Sequence, residues 1–130
     1  IAQGQHVSGD LMAKVVMLRV DGRLVMAVIT ASQKLHLRTV RESLGAHEVR
    51  LATDDEFFGN FPDCEIGAMP PFGNLFDTSV YVDPAITKDE SIYFNAGNHV
   101  QTVRLRYKDF DKIVKPRVVP LAEKNKAQAA

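Results

Sequence analysis

Apolar positions fall into two neighbouring blocks near the start of the chain. Residues 14–20 and 23–30 are rich in Val, Leu, Ile and Met and are separated by Asp21-Gly22. Asp-Gly between apolar blocks is a strong signal for a two-residue β-hairpin, because both residues tolerate the positive φ of its turn. We therefore predict two antiparallel strands. The second block is almost continuously apolar, which predicts a strand whose central part is covered on both faces.

After the hairpin the apolar spacing becomes helical. Leu37, Val40 and Leu44 recur on one helical face, and Gly45 follows them. Glycine readily adopts the left-handed conformation that ends many helices. The pattern predicts a short amphipathic helix that stops at this glycine.

Two more helices are indicated by end signals. Thr53-Asp54-Asp55-Glu56 has the spacing of a capping box, in which Thr53 and Glu56 satisfy the first amides of a helix. Around residues 107–114, Tyr, Phe and Val share one helical face, and Pro116 follows. We expect the last helix to end before this proline, since the residue preceding a proline avoids helical angles.

Four shorter stretches alternate with turn signals and are strand candidates. They are residues 48–52, 79–82, 91–95 and 102–105. Strands outnumber helices and mix with them irregularly, which predicts an α+β fold with a mixed sheet rather than a doubly wound parallel sheet.

The chain has the size of one domain. Its 130 residues, 45% of them hydrophobic, are enough for one continuous core. We assign residues 1–116 to the domain and expect 117–130, which ends in Glu-Lys-Asn-Lys-Ala-Gln-Ala-Ala, to be a C-terminal tail. Because the sequence begins at Ile1 without an initiator methionine, we expect an upstream segment to be missing.

The sequence contains no signal for a membrane or for secretion. The longest apolar run, residues 24–29, is far shorter than the roughly 20 residues of a membrane span, and no basic-then-apolar segment opens the chain. The single cysteine, Cys64, cannot form an internal disulfide, and we interpret it as a structural thiol. These features predict a cytoplasmic protein with no membrane partner.

Charge is balanced overall but unevenly distributed. There are 16 basic and 16 acidic residues, so no general attraction for polyanions such as DNA is expected. Residues 101–117 nevertheless contain six Lys or Arg against two Asp, whereas 54–65 contain five acids and no base. The basic run could contact a phosphate backbone, although solvated helix surfaces explain such runs more often.

Common catalytic signatures are missing from the sequence. It contains no phosphate-binding P-loop, dinucleotide fingerprint, Gly-x-Ser-x-Gly, paired cysteines or His-Glu-x-x-His. We therefore predict no metal and no cofactor.

The stretch from Gly67 to Gly73, Gly-Ala-Met-Pro-Pro-Phe-Gly, is the most unusual in the chain. Its prolines stiffen a loop whose flanking glycines allow a close approach to the backbone. Rigid backbone amides can stabilise the charge that develops on a carbonyl oxygen. A plain tight turn between strands is the alternative, and the loop residues alone leave both open.

Three motifs together resemble the YbaK and prolyl-tRNA-synthetase-associated family of aminoacyl-tRNA deacylases. They are Val-Ser-Gly-Asp-Leu-Met-Ala-Lys-Val-Val at 7–16, Ile-Gly-Ala-Met-Pro-Pro-Phe-Gly at 66–73 and Tyr-Phe-Asn-Ala-Gly-Asn-His at 93–99. The resemblance spans residues 2–116. It implies a mixed sheet curled into an irregular barrel with a few outer helices.

The resemblance also implies a set of site residues. Lys14, the loop residues Gly67, Ala68 and Pro71, and His99 are the catalytic candidates. His99 matches less well, because family members vary there. It could hydrogen-bond the α-amino group or the water, or have no role.

Further residues are expected to bind the substrate. The candidates are Met69, Pro70, Phe72 and Gly97, with Met26 as an additional pocket wall.

The implied reaction is hydrolysis of an amino acid ester on the terminal ribose of mischarged tRNA, with water as the nucleophile. Mischarged tRNA is therefore the expected partner, and whether an aminoacyl-tRNA synthetase is a second one stays open. A non-catalytic tRNA- or synthetase-binding module of the same fold, and a hydrolase of another small ester or amide, are the alternatives. The presence of both Lys14 and Gly67 favours the editing enzyme.

Overall fold

The structure, a computed structural model, describes residues 11–57, 70–73, 78–95 and 101–123. The elements in these ranges are β1 (Ala13–Val20), β2 (Arg23–Thr30), α1 (Leu37–Leu44), β3 (Val49–Leu51), α2 (Asp54–Phe57), β4 (Ser79–Val82), a 3₁₀ helix (Pro84–Lys88), β5 (Ser91–Asn95), β6 (Thr102–Arg106), α3 (Tyr107–Val114) and β7 (Arg117–Val118).

The predicted hairpin is confirmed and lies at the centre of the fold. β1 and β2 pair in continuous antiparallel register from Ala13 opposite Thr30 to Val20 opposite Arg23. Asp21 and Gly22 have φ values of 49° and 84°. Positive φ at both turn residues is what a type I′ turn requires, and it matches the right-handed twist of the strands.

The helix ends also follow the sequence signals. Gly45 ends α1 in the left-handed conformation, with φ 62°, and its amide donates to the Glu42 carbonyl at 3.3 Å. Lys115 ends α3 with φ 52° just before Pro116. The amide of Thr53 donates to Glu56 Oε1 at 2.8 Å, which is the return bond of a capping box.

The sheet is mixed, as predicted. Its strand order is β3-β1-β2-β4-β7, and the β2–β4 and β4–β7 pairs are parallel while the others are antiparallel. A separate antiparallel pair, β5–β6, joins β1 through a parallel bridge between Met12 and Tyr93.

The described strands do not close into the expected barrel. One edge of β1 pairs with β2 along its whole length, while the other edge is divided. At that second edge, β3 pairs with residues 18–20 and β5 bridges Met12. The sheet therefore splits along β1 instead of continuing around to close.

Two core clusters cover the two faces of the sheet. The first cluster contains Ala13, Val15 and Met17 of β1, together with residues of α2, α3 and β5. The second contains Leu18, with Val40 of α1 and Leu121. Residues 25–30 of β2 are all buried, which confirms that this strand is covered on both faces.

The segment after α3 differs from the predicted tail. β7 pairs with β4, the Val119 amide donates to the Val82 carbonyl at 3.0 Å, and Leu121 is fully buried. The prediction of a tail is therefore wrong for residues 117–123. This segment is too short to show a strand pattern, and what holds it is a set of bonds to residues distant in the sequence.

None of the helices in the described part of the chain has the length and hydropathy that a membrane span needs.

Candidate functional site

Lys14 lies near the beginning of β1 with its side chain exposed. It pairs with Ile29 of β2, which belongs to the second core cluster. Because directly paired residues of antiparallel strands point to the same face, Lys14 lies on the face of that cluster. It forms no ion pair with any described residue. Its ammonium group is therefore open to solvent and to a ligand.

The neighbouring strand places Lys14 at a definite position. Met12 is bridged to Tyr93, and the Tyr93 amide donates to the Leu11 carbonyl at 3.1 Å. β1 and β5 run parallel at this bridge, so Lys14, two residues after Met12, is level with Asn95 at the end of β5. Gly97 and His99 follow Asn95 closely in the sequence, within residues 96–100, which lie outside the described residues.

The exit of the Gly-Pro loop is anchored in the first core. Pro71 is fully buried. The ring of Phe72 contacts Phe94 and Phe110 edge to face, with centroids 5.4 and 5.9 Å apart. The Phe72 amide donates to the Pro70 carbonyl at 2.8 Å. This end of the loop is therefore fixed, whereas Gly67, Ala68 and Met69 lie outside the described residues.

Gly73 lies against the start of β4. A Cβ at this position would lie 2.5 Å from the carbonyl oxygen of Thr78 and 2.6 Å from Val80 Cγ2. The Thr78 amide also donates to the Gly73 carbonyl at 2.8 Å. Only a glycine allows the backbone at this position to lie so close to β4. In the sequence this glycine directly follows Pro-Phe.

The structure does not bring all the predicted residues together. Lys14 lies on the face of the second core cluster, whereas Phe72 packs into the first. The role of Phe72 seen here is to anchor the loop, and its role as a pocket wall remains a prediction. Met26 is fully buried in the first cluster, and its role as a pocket wall also remains a prediction.

Asp83 is an organising residue that the sequence analysis missed. Its buried carboxylate accepts hydrogen bonds from Gln33 Nε2 at 2.9 Å, and from the amides of Ala85, Leu121 and Ala122 at 3.0, 2.8 and 3.3 Å. It thereby ties the ends of β2 and β4, the 3₁₀ helix and the C-terminal segment together. Asp83-Pro84 indicates a turn in the sequence, but the distant donors leave no sequence signal.

A charge cluster lies beside the hairpin turn, at the other end of β1. Arg50 donates two hydrogen bonds of 2.8 Å to Glu56, and Arg19 Nε lies 3.3 Å from the same carboxylate. The bonds from Arg50 and then the Thr53 amide lower the pKa of Glu56 to about 2. The hydrogen bonds to Glu56 raise the pKa of Arg50 in turn. Glu56 therefore pairs with both arginines, whereas Lys14 has no such partner among the described residues.

A cavity of about 240 Å³ is lined by Asp89, Glu90, Arg106, Tyr107 and Lys108. It contains none of the predicted site residues. Burial, and then the charge of Asp111, raise the pKa of the Tyr107 hydroxyl. In the ranges that the structure describes, no three His, Cys, Asp or Glu side chains group together to hold a metal ion.

The sequence matches the aminoacyl-tRNA editing domain family over residues 1–113. The chain belongs to this family. The match confirms the resemblance read from the three motifs. No curated protein matches the chain significantly.

Solved structures share the fold of the editing domain. A candidate trans-editing enzyme for prolyl tRNA synthetase superposes with a TM-score of 0.83 at 19% identity, over 95% of this chain and 77% of that one. A hypothetical protein superposes with a TM-score of 0.80 at 20% identity, over 94% of this chain and 81% of that one. A candidate signal transduction protein from Marinobacter aquaeolei VT8 superposes with a TM-score of 0.78 at 17% identity, over 92% of this chain and 26% of that one. At these identities the likeness shows a common fold.

Proposed function

We propose that this domain hydrolyses the ester between an amino acid and the terminal ribose of mischarged tRNA. One observation carries the proposal. In a chain of the aminoacyl-tRNA editing family, Lys14 is exposed, forms no ion pair with a described residue, and is level with Asn95, the strand end that precedes Gly97 and His99 in the sequence. A cation at this position suits a substrate that carries phosphate.

In the proposed site the backbone amides at Gly67 and Ala68 stabilise the carbonyl oxygen of the ester. Each donor of this kind is worth about 3 kcal/mol in known acyl-transfer sites. The buried Pro71 and the packed Phe72 support this role, because they fix the loop where it leaves the site. A fixed loop keeps its amides oriented before the charge develops, and this preorganisation is what makes them effective.

The ammonium group of Lys14 acts as a point charge that positions the terminal phosphate or ribose. Water is the nucleophile. Water adds to the carbonyl carbon and forms a tetrahedral oxyanion. The bond from that carbon to the ribose oxygen then breaks, and this oxygen takes up the proton that the water lost, which gives a ribose hydroxyl and the free amino acid. We propose that the neighbouring ribose hydroxyl of the substrate activates the water, and that His99, where it acts, hydrogen-bonds the α-amino group or this water.

We further propose that the domain acts on charged tRNA in the cytoplasm, either alone or together with an aminoacyl-tRNA synthetase. A structure that shares its fold is a candidate trans-editing enzyme for prolyl tRNA synthetase, which supports a synthetase for proline as the first partner to test.

The test is a deacylation assay with a panel of mischarged tRNAs beside the corresponding free aminoacyl esters. The proposal expects hydrolysis of at least one mischarged tRNA, at a rate well above that of its free ester. Equal hydrolysis of tRNA-linked and free esters would indicate a general small-ester hydrolase. Binding of tRNA without hydrolysis of any ester would indicate a non-catalytic module.

A further inference from the structure

The hairpin β5–β6 turns one face away from the first core cluster, and the residues of that face are exposed or half-buried. Ile92 and Phe94 of β5 are buried in the first core cluster, and Leu105 of β6 packs against it. The alternate positions point the other way. They form three cross-strand pairs, Ser91 with Arg106, Tyr93 with Arg104, and Asn95 with Thr102. We call these six residues the β5–β6 outer face.

The chemistry of the outer face is basic and aromatic. It has two exposed arginines, one half-buried tyrosine, three small polar residues and no acid. Arg104 lies directly opposite Tyr93. Neither Arg104 nor Arg106 forms an ion pair with another described residue.

The outer face is continuous with the face that carries Lys14. Met12, Tyr93 and Arg104 form one row across β1, β5 and β6. Lys14 follows Met12 by two residues and so points to the same side. With strands about 4.8 Å apart, β6 lies about 10 Å from β1. A ligand held at Lys14 would reach Arg104 across this short distance.

We propose that the β5–β6 outer face binds the single-stranded 3′ end of the tRNA, with Tyr93 stacking on a base and the two arginines contacting phosphates. This inference rests on the proposed function, which places the terminal ribose at Lys14. Proteins recognise single-stranded RNA through bases stacked on aromatic side chains and a basic groove along the backbone. An acid-free sheet surface that combines Tyr93 and Arg104 in one cross-strand pair has this chemistry.

The acids near the other end of β5 limit the surface. Asp89 and Glu90 line the cavity beside Arg106 and would repel phosphates there. The RNA therefore lies toward the Lys14 end of the face, with Arg104 as its main contact and Arg106 as the weaker one.

The test measures the affinity of the full chain for an uncharged tRNA transcript, by fluorescence anisotropy over a series of salt concentrations. Arg104→Glu should weaken binding at least about tenfold, and it should lower the salt dependence by about 0.7 per lost phosphate contact. Tyr93→Ala should weaken binding by roughly five- to a hundredfold, whereas Tyr93→Phe keeps the stacking ring and should bind nearly as the wild type.

Arg23→Glu is the matched control. Arg23 is exposed and pairs with Val20, six residues from Lys14, which is about 20 Å along the strand. Arg23→Glu makes the same change of charge as Arg104→Glu. Because it lies far from the proposed RNA surface, it should cost little tRNA affinity. Thermal midpoints of all variants show whether each one is folded. Where Tyr93→Ala unfolds, Arg104→Glu still tests the surface, because Arg104 is exposed.

The outcomes separate this proposal from the proposed function. Equal tRNA affinity for Arg104→Glu and Arg23→Glu, in a protein that still deacylates tRNA, would overturn the outer face and leave the function intact. An Arg104-dependent affinity in a protein that deacylates no mischarged tRNA would support the surface and reject the function. A tRNA that lacks its single-stranded 3′ end should bind more weakly and without dependence on Tyr93, and unchanged binding would overturn the proposal.

Discussion

The two ends of strand β1 carry basic side chains in different surroundings. At the hairpin end, Arg19 lies 3.3 Å from Glu56, which also accepts two hydrogen bonds from Arg50. The carboxylate of the turn residue Asp21 accepts hydrogen bonds from the amides of His47 and Glu48, at 3.0 and 2.8 Å. At the other end Lys14 has no carboxylate within ion-pair distance among the described residues.

This is the difference expected between a charge that stabilises the fold and the site residue that we propose. A paired charge stabilises the fold and has little field left for a ligand, whereas an unpaired cation retains its attraction for an anion. Arg19 and Lys14 are basic residues of one strand, five positions apart, so they point to opposite faces of the sheet. The packing of α2 beside the hairpin turn brings Glu56 to Arg19.

The largest expected effect concerns Gly67, in the loop whose amides we propose to bind the oxyanion. Gly67→Val should lower the single-turnover deacylation rate by at least about a hundredfold, because a β-branched side chain would fill the space next to the oxyanion-binding amides. The thermal midpoint should change little, and tRNA binding should weaken less than the rate. A destabilised protein with normal activity per folded molecule would instead make Gly67 a turn glycine.

The second glycine of this loop should behave in the opposite way. Gly73→Ala places a Cβ 2.5 Å from the Thr78 carbonyl oxygen and should destabilise the fold by about 1–3 kcal/mol, the usual cost of overpacking. The rate per folded molecule should stay near that of the wild type. Thermal or urea unfolding, together with the active fraction, measures both. An unchanged unfolding midpoint together with lost activity would instead place Gly73 in the site.

Much of the fold follows from local signals. The type I′ turn at Asp21-Gly22, the stop of α1 at Gly45 and the end of α3 before Pro116 need only nearby residues, and the structure confirms all three. The burial of β2 on both faces follows from its continuous apolar run.

Non-local features could not be predicted. β7 has two residues and is held by pairing with β4 and by the bonds that Asp83 accepts from Leu121 and Ala122. The described strands do not form the expected irregular barrel for a related reason, since β3 and β5 divide one edge of β1. Of the site, the motifs predicted the position of Lys14 on its strand. They could not show that Phe72 packs in the core, because an apolar loop residue can line a pocket or anchor a loop.

A smaller effect tests the structural end of β1. Glu56→Gln removes the charge that holds Arg19 and Arg50 but keeps an oxygen for the Thr53 amide. It should lower the thermal midpoint modestly near neutral pH and leave deacylation unchanged. Glu42→Gln is the control, because it removes the same charge from a weaker ion pair. The Glu42 side chain is 66% exposed, against 22% for Glu56, and its carboxylate lies 3.7 Å from Arg38 Nε.

The effect of Glu56→Gln should also depend on pH. The pKa of Glu56 in the folded protein is about 2, below its ordinary value of 4.5. A lowered folded pKa contributes stability above the ordinary pKa, and this contribution is lost as pH falls toward the folded value. The difference in midpoint between wild type and Glu56→Gln should therefore shrink from pH 4.5 toward pH 2. A difference that stays constant over this range would contradict the charge pairing.

The central claim is that Lys14 acts on the substrate, and the single-turnover deacylation rate of Lys14→Ala on a mischarged tRNA tests it most directly. Arg23→Ala, at the hairpin end of the same strand pair, is the control. We expect Lys14→Ala to lose at least about tenfold in rate, or about 1.4 kcal/mol, with an unchanged thermal midpoint because the side chain is exposed. A rate equal to that of Arg23→Ala would contradict the account and leave Lys14 as a solvated lysine at a strand end.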